Sequence, residues 1–110
     1  MDLTISSRHV TVPESLRNQA EQRFARLEKL DRRVTGGTLV LAGEGNLRRA
    51  EARVSLAGSP PLLGTGEGPT LRNAMDRAIG RLERQLKARH SRTIDRRSRR
   101  TKTAGDVQVP

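Results

Sequence analysis

The chain has 110 residues, enough for one domain with a modest core and too few for two. A third of it is hydrophobic, Phe24 is the only aromatic, and there is no cysteine, which excludes disulfides and thiolate metal sites and fits a reducing compartment. The formal net charge is +10, from 22 Lys+Arg against 12 Asp+Glu, a balance that favours a polyanion as partner, either nucleic acid or an anionic membrane surface.

Residues 3–7 alternate Leu3, Thr4, Ile5, Ser6 and predict a short first strand. The start Met1-Asp2-Leu3-Thr4-Ile5 has neither a basic opening nor a long apolar stretch, so no signal peptide is expected. Thr11-Val12-Pro13-Glu14 reads as a helix start, with Thr11 and Glu14 capping reciprocally and Pro13 tolerated in the first turn. Leu16, Ala20, Phe24, Leu27 and Leu30 continue at helical spacing to about residue 32, and Gly36-Gly37 is expected to end that segment.

Thr38 to Ala42 suits a central strand, and Gly43-Glu44-Gly45-Asn46 a turn. In the third strand Ala50, Ala52, Val54 and Leu56 alternate with Arg49, Glu51, Arg53 and Ser55, so one sheet face is buried and the other wet. Gly58-Ser59-Pro60-Pro61 is the next expected turn, and Leu62 to Glu67 a weaker fourth strand because of Gly64 and Gly66. The second helix is predicted from Pro69 or Thr70 to about residue 90, with Leu71, Ala74, Met75, Ala78, Leu82 and Leu86 as its apolar face.

The expected fold class is therefore α+β in the order β-α-β-β-β-α, a four-stranded sheet with both helices on one face. Residues 1–91 form the domain. Residues 92–110 are Arg/Ser/Thr-rich without periodic apolar positions and are expected to be a disordered basic tail.

Charge is sorted on both helices. Arg23, Arg26, Lys29 and Arg33 are spaced three, three and four; Arg77, Arg81, Arg84 and Lys87 are spaced four, three and three. Each set stays on one side of a helix. Glu14, Glu21 and Glu28 fall on the opposite flank of the first helix, and Asp76 and Glu83 at the edge of the second stripe. Packed side by side, the helices can merge the stripes into one ridge suited to phosphate. The bland alternative is a solvated face laced with i,i+4 ion pairs. Without exposed aromatics there is no platform for stacking single-stranded bases, so the expected target is structured RNA, recognised by shape and backbone.

Four segments in order resemble the ribosome hibernation-promoting factors, the family of protein Y and ribosome-associated inhibitor A. They are Ser7-Arg8-His9-Val10; Leu16-Arg17 with Arg23-Phe24-Ala25-Arg26-Leu27-Glu28-Lys29; Ala74-Met75-Asp76-Arg77-Ala78; and Arg81-Leu82-Glu83-Arg84-Gln85-Leu86-Lys87. The resemblance spans about residues 1–92. It implies a fold akin to double-stranded-RNA-binding domains and a cytoplasmic, ribosome-associated protein. It also implies a partner, the small ribosomal subunit and the whole ribosome, met through the 16S rRNA backbone, with a second hibernation factor as a further partner. The bound domain would occupy the messenger and transfer RNA channel and hold the ribosome idle, as in stress and stationary phase. Carried over by motif, the rRNA contacts are Arg23, Arg26 and Lys29 on the first helix and Arg77, Arg81, Arg84 and Lys87 on the second; outside the matched motifs, Arg33 of the first stripe and Arg89 are expected to join them.

The chain departs from the family at Thr70 and Arg72, where an acid and an aromatic are common, and at Gly80 inside the second helix. It stops at Pro110 without the C-terminal domain that pairs ribosomes in long members, which implies a short form. Gly64-Thr65-Gly66-Glu67-Gly68 lacks the Gly-Lys-Ser/Thr ending of a phosphate loop and reads as a flexible strand-to-helix connection. His9 and His90 have no ligand spacing; His9 reads as a surface or capping group, and His90 as a pH-dependent addition to the ridge. No cofactor, metal, membrane or small-molecule substrate is expected, and no catalytic constellation stands out, so the chain is not read as an enzyme. Two other readings remain: a general nucleic-acid binder, and a regulator that modulates a sigma factor.

Overall fold

The computed structural model describes the backbone of residues 2–102 and the side chains of residues 2–89. The element order is β1 (Asp2–Arg8), α1 (Glu14–Leu30), β2 (Val34–Glu44), β3 (Leu47–Leu56), β4 (Ser59–Gly68) and α2 (Leu71–Lys102). The strands lie side by side as β1-β2-β3-β4. β1 pairs parallel with β2, because α1 carries the chain back across the sheet between them. The β2–β3 and β3–β4 pairs are antiparallel. Gly45 begins the two-residue turn between β2 and β3 at φ 60°, the first-position glycine that a II′ hairpin uses.

The alternation read along β3 is complete: Ala50, Ala52, Val54 and Leu56 are buried, and the residues between them are exposed. They join one core with Leu39 and Leu41 of β2, with Leu16, Ala20, Phe24 and Leu27 of α1, and with Ala74, Met75, Ala78, Ile79, Leu82 and Leu86 of α2. Both helices therefore cover the same sheet face. Ile79 belongs to that core although the apolar face read from the sequence omits it. Among the described residues no polar side chain is buried, so the core specifies its packing by shape alone.

Five local expectations are corrected. The α1 N-cap is Pro13, with no side-chain cap. Its carbonyl instead accepts from the amides of Leu16 and Arg17 at 3.0 and 3.1 Å. The helix ends at Leu30, two residues early, because Asp31 turns extended while its N–H still bonds the Leu27 carbonyl. Gly36 and Gly37 do not end the helix but lie within β2, next to an irregularity in its register. Ser59, Pro60 and Pro61 open β4; prolines are tolerated there because β4 is an outer strand.

The fifth correction concerns α2, which runs to Lys102 and not to about residue 90. No Gly or Pro lies between Gly80 and Gly105, so nothing in the backbone chemistry stops it, and the expected tail is helical through residue 102. Residues 103–110 and the His90 side chain lie outside the described residues.

Gly80 lies inside α2, about three turns from its start, where an added Cβ would meet nothing within 4 Å. Gly80→Ala should therefore stabilise the domain by about 0.5–1 kcal/mol, seen as a higher urea midpoint with an unchanged m-value.

Candidate nucleic-acid interface

On α2 the core positions fix where everything else points. With Ala74, Met75, Ala78, Ile79, Leu82 and Leu86 turned inward, Arg77, Arg81, Arg84 and Lys87 are left on the outer side, and all four are exposed. Among the described residues Arg84 and Lys87 make no ion pair or hydrogen bond. Their charges face solvent uncompensated.

The inner flank of α2 lies on β4, and three glycines make this possible. Gly64, Gly66 and Gly68 are buried and alternate along the strand toward the helix. A Cβ at Gly64 would strike the Ala78 carbonyl, one at Gly66 would lie 2.7 Å from the Ala78 amide nitrogen, and one at Gly68 2.8 Å from the Asn73 Cβ. The segment read as a flexible connection is thus a strand floor that only glycine permits. The close approach lets α2 side chains reach the outer edge of β4. Arg77 donates to the Glu67 carbonyl, Gln85 to the Leu63 carbonyl at 2.9 Å, Arg81 to the Thr65 hydroxyl at 3.4 Å, and Arg89 to the Ser59 hydroxyl at 3.1 Å. Four residues of helix rise about 6 Å and two of strand about 6.7 Å, so helix positions four apart match alternate strand positions. Arg77 and Arg81 are each held at one end by these bonds, which shortens their search for an anion.

On α1, Arg26 and Lys29 are exposed, as the stripe predicts. Arg23 is not free. Its guanidinium donates to Asp76 at 2.9 Å and to Glu83 at 2.6 Å on α2, and its side chain is only 23% exposed. The two acids at the edge of the second stripe therefore hold an arginine of the first, and the two stripes meet at a seam of one cation and two anions. Arg33 lies beyond the end of α1. It forms a two-pronged pair with Asp31, Nε to Oδ1 at 3.1 Å and Nη2 to Oδ2 at 2.9 Å, and its backbone N–H also donates to Oδ1.

The Arg33 side-chain hydrogen bonds hold the Asp31 carboxyl below its ordinary 3.8, and they outweigh the opposing effect of burial. A carboxyl depressed in the folded state contributes stability that is present above the unfolded value and is lost as pH falls through the folded one. Stability should thus drop with acid below the ordinary aspartate range. In Asp31→Asn that part of the drop should vanish, which urea midpoints across the acid range would show.

The opposite sheet face is electrically different. It carries Arg8, Arg49 and Arg53 against Asp2, Glu44, Glu51 and Glu67. Arg49 is clasped by Glu67 at 2.9 Å and Glu44 at 3.2 Å, and these partners raise its affinity for its proton. The face has no excess of positive charge, so the net positive excess belongs to the helix side. Sequence reasoning missed two helix-side residues, Gln85 and Arg72. Gln85 gave no signal, since its partner depends on where β4 lies. Arg72 could have been noticed as a cation in the first turn of a helix, where no acid occurs and where the macrodipole disfavours positive charge.

His9 is exposed and left-handed at φ 59°, at the end of β1. Among the described residues no three His, Cys, Asp or Glu come together as a metal site would need, and no helix is long and apolar enough to cross a membrane.

Residues 3–94 match the sequence family described as sigma 54 modulation protein / S30EA ribosomal protein. The N-terminal domain of Protein Y from Thermus thermophilus is 30% identical in sequence and superposes with a TM-score of 0.72, over 80% of this chain and 98% of that one. A ribosomal subunit interface protein from Coxiella burnetii is 19% identical with a TM-score of 0.74, over 83% of this chain and 99% of that one. At that identity the likeness is one of fold. No curated protein sequence matches the chain.

Proposed function

Since the chain belongs to the sigma 54 modulation protein / S30EA ribosomal protein family, that of the hibernation-promoting factors, we propose that it inactivates translation by binding the small ribosomal subunit in the messenger and transfer RNA channel. The action is occupancy: a bound domain excludes both RNAs, and no bond is made or broken. It takes place in the cytoplasm on the 16S rRNA backbone, of free subunits or whole ribosomes, with a second hibernation factor as a further partner. Arg26, Lys29, Arg77, Arg81, Arg84 and Lys87 contact phosphates. Arg89 assists from the β4 edge, while Arg23 and Arg33 act mainly through the acids they hold.

The observation that carries this reading is the outer face of α2, where Arg84 and Lys87 stand exposed, without a counter-ion among the described residues, beside the tethered Arg77 and Arg81. Solubility alone does not require cations to be collected on one face while the opposite face has no excess of positive charge. Arginine forks and lysine point charges are the groups that bind phosphate.

Co-sedimentation with purified ribosomes at about 0.15 M salt, where screening is effective beyond about 8 Å, tests it when excess duplex DNA competes. Retention on small subunits and whole ribosomes supports the reading, and loss to the DNA leaves a general nucleic-acid binder. The family's description also names sigma 54 modulation. Binding to a polymerase component that survives high salt would favour that reading, because phosphate binding weakens by about 0.7–0.9 log units per contact for each tenfold rise in salt.

A further inference from the structure

Between the middle of α1 and the first turns of α2 lies a groove of about 310 Å³. Arg26 stands on its α1 side and Arg72 on its α2 side, Gln19 and Gln22 line it, and Met75 and Asp76 contribute its α2 wall. The Asp76 carboxylate is already engaged by Arg23, which also holds Glu83. Arg26 and Arg72 are both exposed, and neither has a partner among the described residues.

This is a costly arrangement in the free protein. Two guanidiniums line one small groove whose single carboxylate, Asp76, is already paired with Arg23, and like charges repel. Arg72 also stands in the first turn of α2, where no acid offsets it and the macrodipole opposes it. One anion in the groove reverses the sign of both effects. Two arginine forks on different helices can take different oxygens of one phosphate. Gln19 and Gln22 each offer amide donors and a carbonyl acceptor, which suits a hydroxyl that both donates and accepts, as the ribose 2′-OH does.

We propose that this groove is a clamp for a single ribose-phosphate unit of bound RNA, with Arg26 and Arg72 on the phosphate and the two glutamine amides beside the sugar. The assignment rests on the RNA-binding reading for the source of the phosphate, but not for the site itself. It also gives a role to Arg72, a cation in a helix first turn that holds no acid.

Two readouts on the full chain separate the clamp from the ribosomal assignment. In the free protein, titration with inorganic phosphate should shift the side-chain amide resonances of Gln19 and Gln22, and Arg72→Ala should abolish the shift. Unmoved glutamine amides would overturn the clamp, whatever the ribosome does. On ribosomes, Arg26→Ala and Arg72→Ala should each weaken binding about tenfold, the size of one charge-assisted hydrogen bond. The double variant should lower the salt slope by about one phosphate, not two. Arg53→Ala, on the opposite sheet face, removes the same charge as a control. If Arg72→Ala loses no more than Arg53→Ala, no RNA phosphate occupies the groove and the proposal falls. If the wild-type protein fails to bind ribosomes while phosphate still shifts the glutamines, the clamp stands as a phosphate site and the ribosomal assignment falls.

Discussion

Ribosomes pelleted with an Arg81→Glu, Arg84→Glu variant should carry essentially none of it, while its circular dichroism and urea midpoint stay near those of the wild type. Both side chains are exposed. Arg84 has no partner among the described residues, and Arg81 has only a long bond to Thr65, so little folded-state energy is at stake. Binding is another matter. Each charge-assisted hydrogen bond to phosphate is worth about 1.5–3 kcal/mol, so losing two costs roughly 100-fold at the least. Reversing the charges also replaces attraction with repulsion. An Arg53→Glu variant controls for the change in overall charge, since that arginine lies on the opposite sheet face. Wild-type affinity in the double variant would show that the outer face of α2 is not the docking surface.

The largest effect on stability is expected at Gly66. Its Cβ would stand 2.7 Å from the Ala78 amide nitrogen and against the Ala74 carbonyl. These are backbone atoms of a helix, which cannot turn aside as a side chain can. Gly66→Ala must push α2 off β4 and with it Ala74, Ala78 and Leu82, all fully buried. Overpacking of this kind costs about 1–3 kcal/mol, or at least about 4 °C in melting temperature for a domain of this size. The same change at Gly80, fourteen residues on, meets open space and should act in the opposite direction. A Gly66→Ala variant as stable as wild type would mean that α2 does not rest on the strand.

Most of the architecture is legible in the sequence because two periodicities are clean. The Ala50, Ala52, Val54, Leu56 alternation and the Leu16 to Leu27 and Leu71 to Leu86 spacings each have one interpretation. What could not be read shares one physical cause: glycine and proline are ambiguous without tertiary context. Gly36-Gly37 and Gly64 to Gly68 look like interruptions, yet the first pair lies within β2 and the second set is where α2 sits down. The site divides in the same way. That Arg77, Arg81, Arg84 and Lys87 face outward follows from helical spacing alone. That Arg23 is bound to Asp76 and Glu83 does not, because those partners lie 53 and 60 residues away and meet it only when the helices dock. Arg33 was assigned to a helix that ends three residues before it.

The row of side chains from α2 along β4 also bears on how the protein avoids its own copies. An outer strand ordinarily displays unpaired backbone groups to any extended chain that passes, which is how sheets aggregate edge to edge. Here the Glu67 and Leu63 carbonyls are already taken by Arg77 and Gln85, and Pro60 and Pro61 have no N–H to offer. A second copy approaching along this margin meets the guanidinium groups of Arg77, Arg81 and Arg89, which repel its own. On this side recruitment of another strand is disfavoured, and the arginines assigned to RNA also guard the sheet edge.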